Sequence, residues 1–297
     1  MSNSDFIQRF VFDQLDVRGC YVCLEQTCED IQQTHHYPDN LARLINQFAI
    51  AAVLMRDGIK LDASVTIQLR KMDSSTATNG LKLIMADCMS DRRVRAIAEY
   101  ESDQMAAGEE FKLNDMGNQA VLAITITPDK GERYQSIVPL KFGSISECLQ
   151  DYFARSEQLP SWFHLVSDTD KAIGIALHSL PAEKVSNPKQ SSEHFQRLKM
   201  LLETLTDEEA LSLDSTQTLT RLFHEESCRL FEQTQVEFGC ICSADKSLAA
   251  IKSLGEGEVN SLIEEQKTEG KNNLVVDCHF CFQRYEFEFD QIEELFN

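Results

Sequence analysis

Two closely spaced cysteine pairs near the C-terminus constrain this chain more than any other feature. Cys240 and Cys242 form a C-x-C pair, Cys278 and Cys281 form a C-x-x-C pair, and 35 residues separate the pairs. Because each pair can reach one small ion from a single turn, the four thiolates together predict a tetrahedral zinc site. Four unrelated buried cysteines are the alternative, and the doubled short spacing argues against it. We therefore predict one zinc ion per chain in the reduced state.

The region that carries these cysteines, residues 240–297, is short for an independent domain. Helices are predicted at about 247–254 and 258–265, and strands at 274–276 and 285–289. A unit of this size usually needs a metal ion to fold, so zinc binding and folding should form one equilibrium. Residues 240–297 are therefore predicted to be a small zinc-binding domain.

Residues 1–182 are predicted to form one large domain that mixes helices and strands. Alternation of apolar and polar residues predicts strands at 19–25, 65–69, 121–127 and 173–180. Strands and helices do not follow a regular βαβ rhythm, which favours the α+β class.

Two helices are predicted within this large domain. Residues 40–56 are apolar on nearly all sides, which predicts a buried helix capped by Asp39 or Asn40. Ser144 and Glu147 have the spacing of a capping box, which predicts a second helix over 144–158.

Residues 183–239 are predicted to form a helical connector, of which 184–193 are polar and indicate a linker. Thr206 and Glu209 form a capping box that opens a short helix. Apolar residues fall at helical spacing in two stripes: Phe195, Leu198, Leu202 and Leu205, then Leu219, Leu222 and Phe223. The stripes are too short to make a core of their own, so the connector should need a partner surface.

Charge and composition exclude several functional classes. The net charge of −20 repels phosphate backbones, and residues 240–297 carry five Lys or Arg against twelve Asp or Glu. The sequence begins without a secretory signal, and its longest apolar segment, residues 48–55, is too short to span a bilayer. Ten cysteines in such a chain indicate reduced thiols in the cytoplasm. Nucleic acid and membrane are therefore not expected as partners.

The other cysteines are not expected to bind metal. Cys20 and Cys23 lie on a predicted strand, where residues i and i+3 face opposite sides, so they should not chelate together. His279 lies between two ligands, but four sulfurs already complete a tetrahedron. The remaining cysteines are interpreted as small core residues: Cys28, Cys88, Cys148 and Cys228.

Several motifs along the chain resemble those of the 33 kDa redox-regulated heat-shock chaperone family. In the large domain they are Arg9-Phe10-x-Phe12, Val17-Arg18-Gly19, Tyr37-Pro38 and Glu132-Arg133-Tyr134-Gln135. In the connector the motif is Arg221-Leu222-Phe223-His224-Glu225-Glu226. In the last region they are Phe238-x-Cys240-x-Cys242-Ser243 and Cys278-x-Phe280-Cys281-x-x-x-Tyr285-x-Phe287.

This resemblance implies a cytosolic, ATP-independent holdase that protects unfolding proteins under oxidative stress and is not an enzyme. The family is idle when reduced and zinc-bound, and it is active once oxidised, as a homodimer formed through the large domain. By position, Cys240, Cys242, Cys278 and Cys281 would be both zinc ligands and redox-sensing thiols. Oxidation is expected to join Cys240 to Cys242 and Cys278 to Cys281, since these are neighbours within each motif.

Two other functions compete with the chaperone hypothesis. One is a constitutive adaptor with a structural zinc ribbon. The other is a thiol oxidoreductase that uses Cys278 and Cys281 catalytically, which would favour a C-x-x-C motif at the start of a helix in a thioredoxin-like unit. Neither that helix nor a phosphate-binding loop or nucleophile elbow is visible in the sequence.

Overall fold

The computed structural model describes residues 4–71, 80–104, 111–116, 120–181 and 188–296. The chain divides into two compact units, Met1–Gly239 and Cys240–Asn297. Both contain helices and strands, so the predicted α+β class is confirmed. Within the described ranges, no helix combines the length and the apolar character needed to cross a bilayer.

Two sheets organise the first unit. Their strands are β1 (Phe6–Phe12), β2 (Val17–Leu24), β3 (Ala63–Lys71), β4 (Leu81–Cys88), β5 (Arg93–Tyr100), β6 (Ala120–Pro128), β7 (Tyr134–Pro139), β8 (Ser161–Ser167), β9 (Ala172–Ser179), β10 (Cys228–Gln235) and β11 (Glu237–Phe238). The order is β10-β1-β2-β9-β8 in the first sheet and β11-β5-β4-β3-β6-β7 in the second. Neighbouring strands are antiparallel except β11 and β5, which are parallel. The four predicted strands correspond to β2, β3, β6 and β9.

The helices of the first unit are α1 (Gln26–His35), α2 (Asp39–Gly58), α3 (Ile145–Tyr152), α4 (Pro188–Leu202), α5 (Asp207–Ser212) and α6 (Ser215–Phe223). The predicted buried helix is α2, which packs against strands of both sheets within one apolar core. Its predicted cap is wrong, because Pro38 occupies the N-cap position and Asp39 is already helical. The Pro38 carbonyl accepts the amides of Leu41 and Ala42, both at 2.9 Å. Asn40 lies inside the first turn, where its Oδ1 also accepts the Leu41 amide at 3.0 Å, but it is not the N-cap residue.

The predicted capping box at the start of α3 is confirmed, with Ser144 and Glu147 each bonded to the other's backbone amide. The α-helix ends at Tyr152, earlier than predicted. A single π-helical turn, Phe153–Glu157, follows, and Gln158 adopts the left-handed conformation with φ of 51°. The predicted helix over 144–158 is therefore correct in its start and in its helical character, but it changes type at its end.

The predicted connector contains strands as well as helices. Helix α4 begins at Pro188, which suits the first helical turn because proline lacks an amide donor. Residues 184–187 of the predicted linker lie outside the described residues. Residues 188–193 belong to α4, so the prediction of a linker is wrong for them. Strands β10 and β11 follow α6 and were not predicted, because β10 is mostly exposed and lacks a clear apolar alternation.

Strand β2 is buried on both of its faces. Cys20 belongs to the core that contains α2, whereas Cys23 belongs to the core on the opposite face of the sheet, beneath α4, α5 and α6. The prediction that these two side chains point to opposite sides is confirmed. Cys28, Cys88 and Cys148 are buried core residues as predicted, and Cys228 is half-buried.

Gly19 lies opposite Phe10 in the pairing of β2 with β1. A Cβ at Gly19 would stand 2.1–2.7 Å from three ring carbons of Phe10, which is a severe overlap. We expect Gly19→Ala to lower the free energy of unfolding of the first unit by about 1–3 kcal/mol, because Phe10 or the backbone must shift. Urea unfolding measures this change. Gly58→Ala is the matched control, because no atom of the described residues lies within 4 Å of its new Cβ. Equal effects of the two substitutions would contradict the packing argument.

The second unit contains α7 (Ala244–Leu254), α8 (Glu256–Thr268), β12 (Asn273–Asp277), β13 (Arg284–Glu288) and α9 (Phe289–Glu293), followed by a 3-10 turn, Glu294–Phe296. The four predicted elements are present, and α9 is an addition. Helix α7 begins before the predicted residue 247, because the Ser243 side chain caps it by accepting the Lys246 amide. The main buried cluster is small, with seven apolar residues: Ile251, Val259, Ile263, Leu274, Phe287, Phe289 and Ile292.

Candidate metal centre

The hairpin of β12 and β13 positions the C-x-x-C pair in the second unit. The two strands pair up to Asp277 and Arg284, whose side chains form an ion pair with distances of 2.8 and 2.9 Å. Cys278 and Cys281 lie in the turn that follows. The turn is closed by the amide of Cys278, which donates to the carbonyl of Gln283 at 2.9 Å. Both sulfurs are thus carried by a short, hydrogen-bonded loop.

The C-x-C pair lies in the segment that leads into α7. Ser243, next to Cys242, accepts the amide of Lys246 at 3.2 Å and so anchors the segment to the first turn of the helix. The Lys246 ammonium donates to the carbonyl of Ile241 at 2.8 Å, which holds the residue between Cys240 and Cys242. The helix cap and this lysine therefore fix the backbone that carries the C-x-C pair.

The two loops bring the four predicted sulfurs together. All four Sγ atoms lie within 4.8 Å of one another. The Sγ atoms of Cys240 and Cys278 are 3.6 Å apart, and those of Cys242 and Cys281 are 3.5 Å apart. Zinc–sulfur bonds of about 2.3 Å in a tetrahedron place sulfurs about 3.8 Å apart, so the cluster has the size that zinc requires.

The electrostatics of the cluster also suit a cation. Desolvation raises the pKa of Cys278, and the neighbouring Cys240 thiol raises it as well. Desolvation likewise raises the pKa of Cys281, with further contributions from Cys242 and Cys240. Four sulfurs this close do not ionise together unless a positive charge offsets their repulsion, and a divalent ion reverses the direction of these shifts.

Tyr285 is a further member of the site for which the sequence predicted no role. Its hydroxyl donates to the Sγ atom of Cys242 at 3.1 Å. This hydrogen bond raises the pKa of Tyr285 to about 12, which keeps the hydroxyl protonated as a donor. The signal in the sequence is its place in the family motif, four residues after Cys281, at the start of the strand predicted for 285–289.

The other candidate residues are not members of the cluster. His279 lies in the same turn as Cys278 and Cys281, but it is exposed and is not grouped with the four sulfurs. Cys20 and Cys23 lie in the first unit. Across the described part of the chain, no second group of three or more His, Cys, Asp or Glu side chains has metal-binding geometry.

Comparison with known proteins covers the whole chain. The family described as "Hsp33 protein" matches residues 5–288. A 33 kDa chaperonin of Pseudomonas paraeruginosa is 40% identical over 296 residues, which is 100% of this chain and 96% of that protein. A 33 kDa chaperonin of Azotobacter vinelandii is 38% identical, with the same coverage.

A solved structure is similar in fold as well. The crystal structure of the 33 kDa chaperonin of Thermotoga maritima matches with a TM-score of 0.73 and 22% sequence identity, over 98% of this chain and 97% of that one. The family match over nearly all residues and the full-length relatives agree with the resemblance of the motifs. This chain belongs to the Hsp33 protein family.

Proposed function

We propose that this protein is a redox-regulated, ATP-independent holdase that is activated by thiol oxidation and zinc release under oxidative stress. Hsp33 proteins are chaperones and not enzymes, so the protein is a chaperone and binds unfolded client proteins. The redox control, the identity of the metal and the ATP independence are the proposed part. The four converging sulfurs of the second unit carry this proposal.

The proposal rests on the dependence of the second unit on its cysteines. Its seven-residue buried cluster is too small to stabilise an independent fold comfortably. Zinc, when bound, would hold the four sulfurs as thiolates and tie the segment before α7 to the β12–β13 hairpin. Metal affinity of this kind supplies on the order of 10 kcal/mol of folding free energy. A change at the sulfurs therefore becomes a change in folding.

Thiolates are the nucleophiles that react with peroxide, so the same sulfurs can sense oxidants. One thiolate attacks a peroxide oxygen and becomes a sulfenic acid, while the peroxide leaves as hydroxide. A second thiolate then attacks the sulfenic sulfur, forming the disulfide and releasing a second hydroxide. Each disulfide needs one peroxide and removes two ligands. Two peroxides would therefore oxidise all four cysteines and end metal binding.

Partners and location are proposed on the same basis. We infer that the oxidised protein is a homodimer formed through the first unit, as the family resemblance implies. The net charge of −20 disfavours binding to nucleic acid, and we propose no membrane partner and a cytoplasmic location.

The structure favours this function over a thiol oxidoreductase. Cys278 and Cys281 lie in a hairpin turn, and neither opens a helix, so no helix dipole is available to lower the pKa of a nucleophilic thiol. An adaptor with a permanent zinc ribbon would have the same geometry as the redox switch, and experiment separates these two.

The function is tested by light scattering from an unfolding client protein. Without ATP, we expect the reduced protein to leave aggregation nearly unchanged and the peroxide-treated protein to suppress it at near-stoichiometric amounts. Treatment of the oxidised sample with a thiol reductant controls for damage and should restore the idle state. Equal activity in the two states would favour the adaptor, and a requirement for ATP would contradict the holdase.

We also predict which disulfides form, namely Cys240–Cys242 and Cys278–Cys281. The shortest sulfur distances given above join residues of different motifs, so geometry in the folded site does not select this pairing. The pairing should arise because sequence neighbours remain close once the unit has unfolded, when closing a longer loop costs more entropy. Non-reducing peptide mapping measures the links. A dominant Cys242–Cys281 or Cys240–Cys278 link would contradict the prediction.

Tyr285→Phe should make the site more sensitive to oxidants. The hydroxyl donates to the Cys242 sulfur and so withdraws electron density from it, and one such bond is worth about 1 kcal/mol. Its loss should speed peroxide-driven zinc release roughly fivefold, measured with a chromogenic chelator. Tyr134→Phe, at an exposed site in the first unit, is the control. Identical rates for Tyr285→Phe and the wild type would refute a protective role.

A further inference from the structure

A cavity of about 560 Å³ is lined entirely by residues of the first unit, and none of the four clustered cysteines is among them. Its walls come from β1, β2, β9, β10, the end of α2, the residues that follow α2 and the turn between β4 and β5. The volume is in the range of small-molecule sites in proteins.

The charge of the lining is opposite to that of the whole chain. Five basic and two acidic residues line this cavity, although the whole protein has 28 Lys and Arg against 48 Asp and Glu. The charged lining residues are Arg9, Arg18, Arg56, Lys60, Arg92, Asp57 and Asp62. The cavity is thus a locally positive site on a strongly acidic protein.

The two acidic residues neutralise only part of this charge. Asp57 accepts hydrogen bonds from Arg9 at 2.8 Å and from the Cys20 thiol at 3.0 Å. Its carboxylate therefore mainly neutralises Arg9. Asp62 is 3.8 Å from Arg56, and its side chain is 88% exposed, which makes it a weak partner.

Three other cations of the lining form no direct contact with an opposite charge among the described residues, although the charge of Arg92 also acts on Asp57. Among the described residues, the side chains of Arg18, Lys60 and Arg92 make no hydrogen bond and no ion pair. Arg18 and Arg92 are half-buried, so water screens them only in part. Three like charges around one cavity repel each other, and an anion between them would relieve that repulsion.

The Arg56 guanidinium adds a buried charge to the same wall. Arg56 is 7% exposed, and its Nη2 and Nη1 donate to the carbonyls of Ser90 at 2.9 Å and Ile59 at 3.5 Å. Its Nε has no hydrogen-bond partner among the described residues. Burying a guanidinium with incomplete pairing destabilises a fold unless another charge compensates. Its charge contributes to the positive potential of the cavity.

Two departures from regular backbone geometry also occur at the cavity. The pairing of β1 with β10 contains a bulge in which Phe231 and Glu232 stand opposite Arg9. Arg92 has a φ of 65°, a left-handed conformation that costs free energy for a residue with a side chain. Bulges and strained residues of this kind concentrate at functional sites.

The positive potential reaches the inner wall of the cavity. Burial lowers the pKa of His178 to about 4, and the charge of Arg18 acts in the same direction. The imidazole is therefore neutral at physiological pH, and its Nδ1 is hydrogen-bonded to Ser161 at 2.8 Å. The neutral His178 ring therefore leaves the charge of the cavity to its arginine and lysine side chains.

We infer that this cavity binds a small anion that carries a phosphate group. Guanidinium groups present paired N–H donors that match phosphate oxygens, and within the described ranges those of Arg18 and Arg92 make no hydrogen bond to the protein. Leu61 and Phe231 line the same cavity and are 63% and 44% exposed, which offers an apolar surface to an organic part of the ligand. The shared chemistry is the phosphate, and it can come from inorganic phosphate or from an organic phosphate.

Calorimetric titration of the reduced, zinc-loaded full-length protein tests this inference. Inorganic phosphate, adenosine monophosphate and adenosine serve as three separate probes, at two salt concentrations. We expect saturable binding of one phosphate-bearing probe per chain, weakened by salt, and no binding of adenosine. Tighter binding of the monophosphate would identify an organic phosphate, and equal binding would identify phosphate alone.

The variants Arg18→Gln and Arg92→Gln should each weaken this binding at least tenfold, since each removes one unpaired cation. Arg155→Gln, which removes an exposed cation outside the cavity, should leave it unchanged. Thermal unfolding of each variant verifies that it is folded. Absence of binding by both phosphate probes, or undiminished binding in the two cavity variants, would overturn the inference. Equal loss in Arg155→Gln would overturn it too, because binding would then follow net charge.

Discussion

Replacing Cys278 with serine is expected to abolish stable zinc binding and to unfold the second unit. The four sulfurs lie within 4.8 Å of one another, so removing one leaves a three-sulfur site open to water. A structural zinc supplies on the order of 10 kcal/mol of folding free energy, and most of it would be lost. The seven-residue buried cluster would then have to hold the unit together. Metal analysis should fall from one zinc per chain to a small fraction. Amide hydrogen exchange over residues 240–297 should become fast.

The first unit is expected to stay folded in the Cys278→Ser variant, because its cores contain none of the four cysteines. Cys228→Ser is the matched control, since Cys228 is half-buried in the first unit and is not one of the four clustered cysteines. It should keep full zinc. Stoichiometric zinc in the Cys278→Ser variant would show that the predicted ligand set is wrong.

Loosening the connector is expected to switch on chaperone activity without any oxidant. Helices α4 and α6 bury Leu202 and Leu222 against the outer face of the first sheet, in the same core as Phe10 and Phe12. Phe223 packs on both of these rings, with centroids 6.1 and 5.2 Å away. The apolar stripes predicted from the sequence are therefore covered in this state. Exposed, they would present apolar surface to unfolding proteins.

The double variant Leu202→Ser, Leu222→Ser tests this expectation. Truncating a buried leucine destabilises a fold by about 2–5 kcal/mol, so the two changes together should release the helices from the sheet. The opposite face of the sheet retains its own core, which should keep the remainder of the first unit folded. We expect the reduced protein, with zinc still bound, to suppress client aggregation and to be cleaved by protease within 188–223.

Met200→Ser is the control for this variant, because Met200 lies on the same helix and is 58% exposed. It should remain idle when reduced. A double variant that is cleaved by protease but stays inactive would show that opening of the connector is not sufficient. The switch would then have to lie in the second unit or in dimer formation.

The predictions from sequence were most accurate where one interaction determines the local structure. The capping boxes at Ser144 and Thr206 are local hydrogen-bond patterns, and both are present. The four cysteines are brought together by a hairpin turn and a capped helix, both encoded within a few residues. The opposite faces of Cys20 and Cys23 follow from the two-residue period of a strand.

Structure that depends on distant partners was not predictable in the same way. Strand β10 is mostly exposed, and it forms because the edge of β1, more than two hundred residues earlier, is available for pairing. The hydrogen bond from Tyr285 to Cys242 requires knowledge of how β13 lies against the segment before α7. Arg18 lies on β2 and Arg92 in the turn between β4 and β5, and both line the cavity. No local pattern in the sequence indicates that they meet.

Simultaneous measurement of zinc release and client protection tests the central claim most directly. Reduced, zinc-loaded protein is exposed to peroxide, and aliquots are assayed over time for chelator-accessible zinc and for suppression of client aggregation. We predict that activity appears with zinc release, reaches its maximum when one zinc per chain has been released, and reverses on reduction with zinc present. Full activity while zinc remains bound, or complete zinc loss without activity, would contradict a switch based on the four cysteines.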